Sequence, residues 1–98
     1  MSDPILDEEL SAMEARANAA APGPWEAFVE GRDHYSGDDF IRTGGLDSDA
    51  PDMYVELSYP TAAGPTPAPA ADLDFIAAAR QDIPRLVAEV RRLRATTA

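Results

Sequence analysis

The chain offers a single imidazole, His34, and it lies in the polar run Gly31-Arg32-Asp33-His34-Tyr35-Ser36-Gly37. Nucleophilic catalysis by serine or cysteine needs a base within hydrogen-bond reach, and a nuclease or phosphodiesterase needs a second histidine, a lysine or a metal cluster. Cysteine, lysine and a second histidine are all missing from the sequence. His34 therefore has two readings. It is either a solvated turn residue or, with Tyr35, the polar lining of a ligand site on a loop held by a scaffold.

Carboxylates at short spacing, Asp47, Asp49 and Asp52, are the one place to seek a metal. A calcium loop that starts at Asp47 would need a glycine at its sixth position and a bidentate glutamate at its twelfth; those positions hold Asp52 and Ser58. The acids read as a loop. Gly44-Gly45 leads into no helix with Lys-Ser or Lys-Thr, so it makes no phosphate cradle. No catalytic residue, metal or cofactor is expected, and the chain reads as a binder.

Composition agrees with that reading. The 98 residues suit one small domain over positions 1–98, and they carry 18 acids against 8 bases for a net charge of −10. All the bases are arginines. Sixteen acids and three arginines precede Arg80, whereas five arginines and two acids follow from it, so the chain is acidic at one end and basic at the other. Phosphate neutralisation drives non-specific binding to nucleic acid, so direct DNA or RNA binding is not expected. An anionic body could instead act as a decoy that mimics DNA, or simply stay solvated. No run of apolar residues is long enough for a membrane span, and the start has no signal-peptide pattern; together these predict a soluble, cytoplasmic protein.

The expected architecture is α+β. Apolar positions Leu6, Leu10, Met13, Ala17 and Ala20 form one stripe of a helix over 5–21, with Asp3 as its cap and Pro4 in the first turn. Ala21-Pro22-Gly23-Pro24 must end it. Period-two patterns then predict three strands between 25 and 59, at Trp25–Glu30, Asp39–Arg42 and Met53–Tyr59, arranged as an antiparallel meander. Trp25 would anchor the helix to the sheet or serve as a ligand platform, and Tyr54 lies on the polar face of its strand. Residues 60–71 read as a proline-rich crossing loop.

Two helices fill 72–94. Asp72 caps the first; Pro84 breaks the run, and Asp82 caps the second. Ile83, Leu86, Val90 and Leu93 keep heptad spacing, which fits an internal core or a seam between copies of the chain.

Two segments carry a resemblance. Ala20-Ala21-Pro22-Gly23-Pro24-Trp25 and the run from Asp72 to Val90 are similar to the Ead-like family of small proteins from temperate phages, prophages and actinobacterial genomes. The matched positions within these two segments are Pro22, Gly23, Pro24, Trp25, Phe75, Ile76, Ala79, Arg80, Asp82, Pro84 and Leu86. The resemblance implies an accessory phage or prophage protein and brings no catalytic residues with it. Arg80 and Asp82 then have two readings, an ion pair and cap that fix the helix break, or an arginine fork offered to an anion.

The leading expectation is a non-catalytic accessory protein that binds a host component, plausibly to modulate defence or physiology, and that can form a homo-oligomer. Alternatives are a sponge for a nucleotide signal, held by Arg80, Tyr35 or Tyr54, and the acidic DNA-mimic decoy.

Overall fold

A computed structural model describes residues 3–44, 49–58 and 64–97. It is α+β, with two helices and two small antiparallel sheets. Helix α1 spans Asp7–Ala19, and Leu6 in extended geometry is its N-cap. No side chain caps it; instead the Glu9 carboxylate accepts from the Leu6 N–H at 2.8 Å. That reach-back sets the start at Asp7, so Asp3 and Pro4 lie outside the helix. At the other end Ala20 turns extended, because the prolines that follow cannot continue the ladder.

Strand β1, Glu26–Phe28, pairs antiparallel with β2, Phe40–Arg42, so that Ala27 faces Ile41 and Phe28 faces Phe40. Alternation sends Ile41, which is fully buried, to one side and the two phenylalanines to the other. The expected third strand does not complete a meander. Met53 exchanges two backbone hydrogen bonds of 2.8 Å with Ile41 as an isolated bridge, and the chain then leaves to pair elsewhere. Its regular part, β3 at Glu56–Leu57, forms a second sheet with β4 at Thr66–Pro67. The segment read as a plain connector thus contributes a strand. Proline at an edge is compatible with this, since an edge strand need not donate on both sides.

Helix α2 runs from Ala70 to Thr97, 28 residues without interruption, and Pro84 is inside it. The expected pair of helices is therefore one. Residue 84 has no N–H for the Arg80 carbonyl, a local cost of up to about 3 kcal/mol. Both halves are nevertheless fixed in line by what they touch. Leu73 and Ala77 are buried with Ile41 and Ala68 in the core, ringed by Trp25, Ala27, Met53, Val55 and Ile76. Beyond the proline, Val87 is buried, and Arg91 donates to Glu14 and Ser11 of α1. Arg94 also donates to Asp7, so α1 and α2 pack antiparallel. The start differs as well: the Pro69 carbonyl receives the first bonds, and Asp72 sits inside the first turn, where its charge suits the helix dipole. Asp82 is mid-helix and caps nothing.

Replacing Pro84 by alanine restores a donor to a helix that is already continuous. The Pro84→Ala variant should gain about 1 to 3 kcal/mol in denaturant unfolding followed by helical circular dichroism. A less stable variant would show that the proline shapes the helix.

Candidate functional site

Two constellations deserve a functional reading, one on each side of the β1–β2 hairpin. The first lies where the Pro-Gly-Pro-Trp corner meets α2. Gln81 Oε1 accepts from the Trp25 N–H at 2.7 Å, while its Nε2 donates to the carbonyls of Ala77, at 3.0 Å, and Trp25, at 3.3 Å. Arg80 Nε donates to the Ala21 carbonyl at 2.8 Å, and the Trp25 indole donates to the same oxygen at 3.2 Å. Gly23 makes the approach possible, because a Cβ there would stand 3.2 Å from Gln81 Oε1. The Gly23–Pro24 peptide is cis. Gly44 N–H then bonds the Pro22 carbonyl at 2.9 Å, which ties the end of β2 to the corner.

This geometry corrects the expected Arg80–Asp82 junction. Residues two apart on a helix point about 200° apart, so Arg80 turns inward to the corner and Asp82 outward to solvent. No ion pair joins them among the described residues. Arg80 holds backbone, and its guanidinium is in part committed. Trp25 packs on the core and also lines a groove of about 430 Å³ between the helices, together with Met13, Ala17, Ile76 and Ile83.

The second constellation is aromatic. Phe28 and Phe40 stack across the hairpin with centroids 5.1 Å apart and planes within 7°. The Arg42 guanidinium lies 4.4 Å above the Phe28 ring, a cation–π contact. Phe40 also meets His34 at 5.5 Å and Tyr54 at 6.1 Å. Two residues chosen from sequence, His34 and Tyr54, are therefore neighbours of one ring. Tyr54 is 59% exposed, and Tyr35 at 82% projects from the adjoining turn.

His34 is held in one orientation. Its Nδ1 lies 2.7 Å from the Ser36 carbonyl, which can only accept, so Nδ1 carries the proton. Nε2 is then an acceptor, and it is shielded from solvent with no partner among the described residues. The turn around it is braced. Asp33 accepts from the Val29 N–H at 2.9 Å, Asp39 from the Glu30 N–H at 2.7 Å, and Arg32 bonds both oxygens of Asp74 at 2.8 Å. The backbone N–H and then Arg32 hold the Asp33 carboxyl below its usual range; the Arg32 hydrogen bonds do the same for Asp74. Arg32 is pushed up by both acids.

The heptad residues divide. Ile83 borders the groove, Val90 is half-buried, and Leu86 and Leu93 are 58% and 50% exposed. Asp49 and Asp52 are exposed, whereas Asp47 lies outside the described residues, and no cluster able to hold a metal occurs among those described. Sequence reasoning passed over Gln81, Phe28, Phe40, Arg42 and Asp74. A signal existed for the strand residues, since Phe28 and Phe40 fall on the polar side of their strands. Gln81 had none beyond its place between Arg80 and Asp82.

No protein-family model, curated protein or solved structure matches the chain. No helix of the described residues is long and apolar enough to cross a membrane.

Gln81→Ala leaves the Trp25 N–H without its side-chain acceptor in a part-buried position and should cost about 1 to 3 kcal/mol, with a shifted emission of the sole tryptophan. Asp82→Ala, one residue on, should stay within about 0.5 kcal/mol. Equal losses would contradict the clamp. Asp33 of the turn and Asp74 of α2 both have depressed folded values, so their stabilisation is present at neutral pH. It should fade as pH falls from about 5 through the carboxylate range. The melting temperature of Asp74→Asn should then fall less steeply with acid than that of the parent; parallel curves would show that the tether does not contribute.

Proposed function

We propose that this chain is a non-catalytic accessory protein of the phage type that binds a protein of its bacterial host through the outer face of the β1–β2 hairpin. The observation that carries the reading is the continuous aromatic surface formed by Phe28, Phe40 and Tyr54, with Arg42 stacked upon it. Tyrosine, tryptophan and arginine dominate the energetic centres of protein interfaces, the aromatics because they bury much area with few rotors and arginine because its planar fork both stacks and donates. Strands fix this surface, and the Arg32–Asp74 tether fixes the turn beside it, so little ordering remains to be done on binding. The two segments that resemble Ead-like proteins meet at Gln81 and Trp25. Accessory rather than catalytic action is supported by the lack of a lysine, cysteine or second histidine in the sequence to work with His34.

The nucleotide-sponge reading draws less from the geometry. Its arginine, Arg80, bonds the Ala21 carbonyl on the α2 side of the hairpin, whereas Tyr54 belongs to the opposite face.

Affinity capture from host lysate tests the proposal. The wild-type protein should retain a defined host protein, and the surface substitutions Tyr54→Ala and Tyr35→Ala should reduce the yield severalfold without lowering the melting temperature. Retention unchanged by both substitutions, or no specific retention, would count against this face.

A further inference from the structure

We infer that the outer face of α2 is a self-complementary surface, and that the partner it fits is a second copy of this chain lying antiparallel across a two-fold axis near Leu86. This surface is separate from the aromatic face of the hairpin, so the inference does not rest on the host-binding reading.

The helix has two apolar faces where one suffices for its own fold. Leu73, Ala77 and Val87 are buried on the inner face. Phe75 and Leu93 are 18 residues apart, which is five full turns, so they lie on one line along the outside. Leu86 is close to that line. The three side chains are 75%, 50% and 58% exposed, and the line they mark is about 27 Å long at 1.5 Å per residue. Ile83 and Val90 flank it on the side of α1.

Charge selects the occupant. On the other flank stand Asp82, Arg85, Glu89 and Arg92, spaced three, four and three residues apart, with signs that alternate from negative to positive. The spacing reads the same in both directions while the signs invert. An antiparallel copy therefore sets Asp82 against Arg92 of the other chain and Arg85 against Glu89, and symmetry makes each pair twice. A parallel copy, related by an axis along the helices, would bring this flank against the partner's other flank, that of Ile83 and Val90, and make neither pair. Asp82 and Arg85 have no ion pair in their own chain among the described residues, and Glu89 and Arg92 pair only with each other. The remaining α2 arginines, Arg80, Arg91 and Arg94, are used inside the fold. Sixteen acids and three arginines precede Arg80, whereas five arginines and two acids follow from it, so two copies repel less along this segment than across their acidic parts. An open trough runs along this charged flank, lined by Asp82, Arg85, Glu89 and Arg92 with Leu86 at its edge. The contact is isologous, as two-fold interfaces are.

Sedimentation equilibrium of the full chain over a range of concentrations is the test. The wild type should dimerise reversibly. Leu86→Asp should abolish association with the helical signal and melting temperature kept, since the residue is exposed. Arg85→Glu sets acid against acid and should weaken the dimer at least about tenfold. The double variant Arg85→Glu/Glu89→Arg restores both pairs and should recover most of the loss. A wild type that is monomeric throughout, or a dimer indifferent to Leu86→Asp and Arg85→Glu, would overturn the inference, as would capture of a foreign helix by this face of a monomer. A double variant as weak as the single one would refute the antiparallel register.

Discussion

The carboxamide of Gln81 closes on both backbone groups of Trp25, a residue 56 positions earlier in the chain, and most of the architecture is organised around that closure. A primary amide is suited to the task, since its oxygen and nitrogen form a pair that matches the N–H and carbonyl of one residue. Trp25 ends the corner that leaves α1 and begins the strand that enters the sheet. To fix its backbone on α2 is to set where α1 returns and where the hairpin departs. Arg80 on the preceding position adds the Ala21 carbonyl, and the bond from Gly44 to Pro22 brings in the far end of β2. Three elements thus share one polar junction beside an apolar core of modest size.

The opposed charges at the two ends of the chain acquire a structural meaning from the same arrangement. The basic C-terminal half of α2 lies along the acidic α1, with Arg91 on Glu14 and Arg94 on Asp7. Such exposed pairs contribute little each, but their order along the two helices is correct only for the antiparallel pairing. They specify direction more than they add stability. A charge imbalance that looked like a clue to a partner is partly an instruction for the chain to fold upon itself.

Much of this was legible before any coordinates. Leu10, Met13 and Ala17 follow the helical period, Ala27 and Ile41 follow the strand period, and the prolines at 22 and 24 can only end a helix. What escaped has a common cause: it was decided by partners distant in sequence. The sterics at Pro84 are real, but a local cost is outweighed when both flanking halves are packed. Thr66 and Pro67 look like connector until Glu56 and Leu57 come alongside. Asp82 resembles a cap as long as a break is assumed, and it becomes a plain surface acid once the helix is whole. Of the site, the turn residue His34 and the exposed Tyr54 were identified, whereas Phe40, which joins them, was hidden by its resemblance to an ordinary strand residue.

Gly23 and Gln81 face each other with almost no slack, since a methyl group on the glycine would meet the amide oxygen at 3.2 Å. The two positions are consequently a matched set. A side chain at 23 would press the Gln81 amide back by a few tenths of an ångström and loosen its hold on Trp25, so change at one position favours change at the other. Their identities should drift together and not singly. Such paired change would be a stricter criterion of kinship than either motif alone, because it tests the contact itself.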